Sequence, residues 1–366
     1  GIVKITLLPN RPFNLKNLVG LVQVAIQNHA SDIHLRMGES PCLRIRGDLV
    51  PVQTRPFAKE DIEDICKIIF QNEQTSSQLD KIKELDGGFT IPDTCRLRFN
   101  FFHFNDKMGI ILRIVRNAIP TIEQLQLPSI VGEIALHQYG LILVTGPTGS
   151  GKSTTLASMI NHINQLKHAH IITIEDPIEY IHPQIKSRLT QREVGRYTES
   201  FQAGLRAALR QDPDIILIGE MRDPETVSIA LKAAETGHLV LSTVHTTNAI
   251  STIGRIISMF PPEEQQDVRK RFAENLYATI GQRMLQGAQN KNIVLALEIM
   301  LTTPGVKECI MGEEPIGRIL EIIQEGRGPS GNGSQSFEQH IMELFKKGII
   351  TKETALESVE GASDFQ

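Results

Sequence analysis

Gly146-Pro147-Thr148-Gly149-Ser150-Gly151-Lys152-Ser153 matches the spacing G-x-x-x-x-G-K-[ST] in full. Its chemistry is that of a polyphosphate cradle. Glycines let the backbone approach closely, and successive N–H groups and the following helix N-terminus face the phosphate oxygens. Lys152 can reach the β- and γ-phosphates, and the Ser153 hydroxyl can ligate Mg2+. An apolar run at 141–145 leads into the motif, and helical spacing from Thr154 leads out of it. A chance glycine turn would have neither flank.

Phosphate transfer also needs carboxylates. The run Ile215-Ile216-Leu217-Ile218-Gly219-Glu220 reads as a strand ending in an acid. On the strand beside the phosphate-loop strand, Glu220 would polarise the attacking water or hold magnesium through water. The competing reading is a cap on the helix that follows. Asp214, at the start of the strand, should point away from the phosphates. Glu175-Asp176-Pro177 also follows a strand directly, at the edge where open α/β sheets bind ligands. Glu175 is the second catalytic candidate, while Asp176-Pro177 reads equally well as a turn.

His245, in Ser242-Thr243-Val244-His245-Thr246-Thr247, follows another strand and could hydrogen-bond a γ-phosphate. Other histidines, including His162, His168 and His170, read as solvated. Arg96 and Arg98 alternate with Leu97 and Phe99, which puts both on the polar face of a strand, and Arg113 lies on the next strand. An arginine brought to a γ-phosphate accelerates transfer by ~10³–10⁵-fold. The plainer reading is a solvated strand face. Arg206 and Arg210, one helical turn apart, could reach a neighbouring chain or pair with nearby acids.

The elements that must hold these groups fall into two patterns. Up to about residue 116 the chain reads as a small α+β domain. A helix spans 14–29 and another 60–70. An alternating strand at 42–46 turns at Gly47-Asp48, and further strands cover 96–101 and 109–115. Residues 117–128, with Pro120 and Pro128, read as a linker. From 129 to 366, apolar strands at 141–145, 170–174, 215–219, 239–243 and 293–299 alternate with helices, the signature of a parallel sheet covered on both faces. A helix at 223–236 opens on Asp223-Pro224 and stops at Gly237. Residues 326–336 have the composition of a flexible loop, and a last helix puts Phe337, Ile341, Leu344 and Phe345 on one face.

Composition narrows the function classes. The 366 residues are 40% hydrophobic and 22% charged, with a net charge of −4 and no Trp. A nucleic-acid motor would want a basic groove or stacking aromatics, so none is expected to bind. The four cysteines form no C-x-x-C pair and read as buried thiols in a reducing compartment. No secretory signal or membrane-spanning run is evident, so action at a membrane would go through partners. A small-molecule kinase has no use for a separate arginine-bearing domain. A non-hydrolysing assembly subunit would not need Lys152, Glu175 and Glu220 together.

These segments resemble the secretion ATPase superfamily. The resemblance rests on 146–154, Ile174-Glu175-Asp176-Pro177-Ile178-Glu179-Tyr180, the run from Leu205 to Asp214, Gly219-Glu220-Met221-Arg222-Asp223 and Ser242 to Asn248. Ala30-Ser31-Asp32-Ile33-His34-Leu35 and Leu43-Arg44-Ile45-Arg46-Gly47 extend it toward the N-terminus. Within the superfamily the chain is similar to the retraction ATPases of type IV pili. The resemblance implies a PAS-like domain joined to a RecA-like P-loop ATPase domain, in a hexameric ring of identical chains. It puts Gly146 through Thr154 on ATP, Ser153 and Glu220 on Mg2+, and Glu220, Glu175 and His245 in the Walker B, Asp-box and His-box places. Arg98 and Arg113 match arginines that reach the nucleotide. It further implies a cytoplasmic protein, peripheral at the inner-membrane pilus base, working on a platform protein and alongside related pilus ATPases. The stretch Gly305-Val306-Lys307-Glu308-Cys309-Ile310-Met311-Gly312 matches the retraction signature poorly, which leaves an accessory retraction role as the alternative.

Overall fold

The computed structural model describes residues 3–4, 13–91, 95–115, 118–288 and 293–359. The chain divides into two compact units, Gly1–Ala118 with Glu179–Ile181, and Ile119–Ile178 with His182–Gln366.

The first unit is a seven-stranded sheet in the order β1-β4-β3-β2-β7-β6-β5. Its strands are β1 (Val3–Lys4), β2 (Ala30–Arg36), β3 (Cys42–Ile45), β4 (Asp48–Gln53), β5 (Glu84–Ile91), β6 (Cys95–Phe104) and β7 (Lys107–Val115). All pairings are antiparallel except β1 with β4. Helices α1 (Leu15–Gln27) and α2 (Lys59–Phe70) and a short α3 (Glu73–Ser76) complete it. Leu18, Leu21, Val22 and Ala25 of α1 are buried in one core with Ile33, Leu35, Leu97 and Phe101. The hairpin turn differs from expectation by one residue. Ile45 pairs with Asp48, so the turn is Arg46-Gly47, at φ 51° and 83°. Two consecutive left-handed residues match the twist of the flanking strands.

The second unit is also built on seven strands, β8 (Gly140–Thr145), β9 (His170–Glu175), β10 (Arg188–Glu193), β11 (Ile215–Ile218), β12 (Leu239–Val244), β13 (Leu276–Gln286) and β14 (Ile293–Leu301). Their order is β10-β9-β11-β12-β8-β13-β14. The expected parallel sheet holds from β10 to β13, but β14 runs antiparallel to β13 as the second arm of a hairpin. The helices are α4 (Ile130–Ala135), α5 (Lys152–Leu166), α6 (Phe201–Ala208), α7 (Pro224–Glu235), α8 (Ala249–Ser258), α9 (Pro262–Asn275), α10 (Pro304–Met311), α11 (Arg318–Glu325), α12 (Phe337–Lys346) and α13 (Lys352–Val359).

Strands β8, β11 and β12 are buried at every residue because each feeds two cores. Leu141 and Leu143 of β8 face one cluster with α7 and α8, while Ile142 and Val144 face the other with α5. Ile122 and Leu127, from the stretch expected as linker, are buried in the α5-side core. The loop expected to be flexible ends in Ser334, Gln335 and Ser336, all buried, and Gln335 exchanges backbone hydrogen bonds with Ile299. On α12, Phe337, Ile341 and Leu344 are buried, but Phe345 is exposed. All four cysteines are free thiols, and Cys42 alone among them is only half-buried.

Candidate active site

Four loops leave the same edge of the second sheet, because β8, β9, β11 and β12 are parallel and their C-terminal ends coincide. The loop after β8 is the phosphate cradle. Gly146, Gly149 and Gly151 all have positive φ. At Gly146 a Cβ would overlap the Ser150 Oγ and sit 3.0 Å from the Gln282 carbonyl oxygen, so only glycine lets the loop close. Gly151, at φ 83°, is the N-cap of α5, so the loop runs straight into the positive end of that helix.

Lys152 is buried, with 8% of its surface exposed. Its ammonium donates to the carbonyls of Gly146 at 2.6 Å and Pro147 at 3.2 Å, and to His245 Nδ1 at 2.7 Å. Burial pushes its pKa down, and the Glu220 charge partly restores it. His245 Nε2 lies 3.0 Å from Glu220 Oε1. Because Nδ1 accepts from an ammonium, the proton belongs on Nε2, which donates to the carboxylate. Lys152, His245 and Glu220 thus form one continuous line from the phosphate loop to the acid.

The line corrects the expected strand order. Glu220 follows β11, and β11 is not beside β8; β12 is inserted between them. The imidazole at the end of β12 spans the extra strand. Glu220 is also free of the capping task, since Asp223 caps α7, accepting from the Thr226 N–H at 2.8 Å and from Gln202 at 3.0 Å. Those hydrogen bonds lower the Asp223 pKa against an opposing burial effect that is the largest single influence. Arg222 lies 3.7 Å from the other Glu220 oxygen.

Glu175 leaves β9, directly paired with β11. Its Oε2 accepts from Thr173 Oγ1 at 2.6 Å and Gln191 Nε2 at 3.1 Å. Asp214 lies at the opposite edge and accepts from the His170 N–H at 2.8 Å. His170 is half-buried at the start of β9, where its ring bonds Thr190 and the Asp212 carbonyl. Ser153 is exposed on the first turn of α5. Thr154 follows it. Arg206 pairs with Glu225 of α7.

The arginines of the first unit differ from one another. Arg96 is buried, not solvated: its guanidinium lies over Gly88, where a Cβ would overlap it, and it donates to Thr90 Oγ1 at 2.9 Å. Arg98 is half-buried and stands directly opposite Arg113 on the neighbouring strand. Arg113 is largely exposed and bridges to Asp32 at 3.0 Å. Two guanidinium groups opposite each other repel, and one carboxylate offsets only part of that.

Gln282 had no sequence signal. It lies on β13, whose polar residues Gln282 and Arg283 break the apolar run that would have flagged a strand. With 1% exposure, it donates to the Ser150 carbonyl and accepts from Thr155 Oγ1 at 2.7 Å. Glu298 on β14 is equally unannounced; burial pushes its pKa up to about 7. Among the described residues, no helix is long and apolar enough to cross a membrane.

The family profile described as "Type II/IV secretion system protein" matches residues 13–347. The chain is 40% identical over 316 residues to a twitching motility protein of Neisseria gonorrhoeae, covering 86% of this chain and 83% of that one. It is 38% identical over 349 residues to the type IV pilus retraction ATPase PilT of Pseudomonas aeruginosa, covering 95% and 100%. A crystal structure of the pilus retraction motor PilT with bound ADP superposes with a TM-score of 0.83 at 40% identity, covering 93% of this chain and 96% of that one.

Proposed function

The chain belongs to the Type II/IV secretion system protein family, and from that premise we propose that it is a ring-forming motor that hydrolyses ATP to power type IV pilus retraction. The observation that carries the reading is the line Lys152–His245–Glu220. It joins the phosphate loop to an acid two strands away, 2.7 Å and 3.0 Å per link. The glycine loop and the α5 N-terminus bind the polyphosphate. Lys152 delivers its charge to the β- and γ-phosphates. His245 is already in contact with that ammonium, so it registers whether a γ-phosphate has taken it. Glu220 accepts the proton of the attacking water, and Glu175 supports it from the adjacent strand. The Ser153 hydroxyl and Glu220 would hold Mg2+, for which hard oxygen donors are suited. The ion would offset charge gathering on the phosphate oxygens.

Arg98 and Arg113 would complete the site by bringing cations to the γ-phosphate of the bound nucleotide. What supports this is their placement as an unbalanced pair of cations on one sheet face. Arg98→Ala and Arg113→Ala should fold and assemble, yet lose most ATPase activity at saturating ATP, because transition-state charge loses its external partner. Normal turnover in both would end the idea of coupling through these arginines.

Assembly should be head-to-tail and closed, a hexamer of identical chains. Light scattering of concentrated protein with ATP is expected to report the ring; a monomer under those conditions contradicts it. In the cell the motor would be cytoplasmic, at the inner-membrane pilus base, acting on a platform protein and beside related pilus ATPases. Deleting its gene and imaging the surface tests the direction of the work. Cells carrying excess pili that do not retract support the reading, and bald cells point to pilus extension instead.

A further inference from the structure

The two sides of the β13–β14 hairpin each meet a different loop of the active site. Gly281 pairs with both Thr145 of β8 and Glu298 of β14, while Gln282 pairs with Leu297. Side chains alternate along a strand, so Gln282 and Glu298 leave opposite faces of the sheet. The core memberships agree: Ile280, Leu297 and Ile299 lie with α5, and Met300 lies with α7 and α8.

On the α5 face, Gln282 uses both ends of its amide. Its Nε2 donates to the Ser150 carbonyl inside the phosphate loop, and its Oε1 accepts from Thr155 at 2.7 Å. Nε2 would also stand 3.3 Å from a Cβ at Gly151, so the amide lies close against the loop. On the other face, Glu298 Oε1 accepts the Ala249 N–H at 2.8 Å, one of the first-turn donors of α8 that no helical carbonyl reaches. The loop carrying His245 ends there. Thr246 bonds the Thr252 hydroxyl, and Asn248 and Ser251 form a capping box. The position of α8 therefore sets the position of His245.

The hairpin itself is held from outside. Leu297 donates to His340 Nδ1 at 2.8 Å and accepts from Gln335 Nε2 at 2.9 Å. Its edge is thus bonded to α12 and to the segment before it, and it does not float as a free hairpin.

We propose that the β13–β14 hairpin is a strut that fixes the phosphate loop and the His245 loop relative to each other, with Gln282 and Glu298 as its positioning residues. Neither side chain touches a reacting atom. Gln282 acts through Ser150 and so on nucleotide binding. Glu298 acts through α8 and so on His245 and the chemical step. This rests on the ATPase reading above.

Phosphate release by the full chain, measured against ATP with Mg2+ present, separates the two roles. Gln282→Met keeps the volume and removes both hydrogen bonds. It should raise KM by about 10-fold with kcat nearly kept, the mark of lost ground-state binding. Glu298→Asp keeps the charge and withdraws the oxygen by one methylene. It should lower kcat about 10-fold with KM nearly kept, since small displacements of a catalytic group are costly. Glu298→Gln keeps the reach and should stay close to wild type. Melting curves accompany each variant. The proposal is overturned if Gln282→Met and Glu298→Asp shift only the melting temperature. It is equally overturned if Glu298→Asp is normal while Glu298→Gln is impaired, because the charge and not the position would then matter. A wild-type chain that does not hydrolyse ATP would instead refute the ATPase reading itself.

Discussion

Lys152→Ala is expected to abolish magnesium-dependent ATP hydrolysis, with turnover falling ~10³-fold or more. The ammonium is the only cation that the phosphate loop itself supplies. It already sits desolvated among the Gly146 and Pro147 carbonyls, with its pKa pushed down by burial. A charge held out of water interacts strongly with an arriving phosphate, since little solvent must be displaced. The substitution also removes the donor to His245 Nδ1, so the line to Glu220 breaks at its first link. The loop should nonetheless fold, because Gly146, Gly151 and the Gln282 hydrogen bonds shape it without the lysine. Phosphate release alongside nucleotide binding is the measurement. A variant that hydrolyses ATP at the wild-type rate removes the phosphate-loop assignment.

The second large effect is expected from Glu220→Gln. Nucleotide binding should persist while hydrolysis slows ~10²-fold or more. The amide oxygen can still accept from His245 Nε2, which leaves the geometry of the line in place. What disappears is the ability to take a proton and the negative charge beside the attacking water. Structure should be unaffected, because Asp223 and not Glu220 caps α7. Single-turnover measurements that separate binding from the chemical step check this. Normal turnover would transfer the role to Glu175, which Thr173 and Gln191 already orient.

Much of this site is legible in the sequence because its signals are local. The phosphate loop is a contiguous motif whose backbone conformation depends on Gly146, Gly149 and Gly151. Strands β8, β9, β11 and β12 read as apolar runs because each is covered on both faces, and α7 announces itself through Asp223-Pro224 and Gly237. In the first unit, the α1 stripe and the alternation in β6 follow from burial on one side. The signals fail where a strand is polar. Edge strand β10, Arg-Leu-Thr-Gln-Arg-Glu, has no apolar run, and β13 carries Gln282 in its middle.

Alternation also misplaces Arg96. Periodicity assigns a face, but only Gly88, diagonal to Arg96 on the neighbouring strand and lacking a side chain, makes room for the guanidinium to lie down and be buried. Strand order is the other thing that tertiary structure alone decided. Each strand's pattern says that it is covered, not which strand is its neighbour, since neighbours are chosen by crossover helices and by packing between residues far apart in the chain. The insertion of β12 between β8 and β11 is such a choice. It turns His245 from a loop histidine into the bridge between Lys152 and Glu220. The residue types that do the chemistry are therefore written in the sequence, and their connection to one another is a product of the fold.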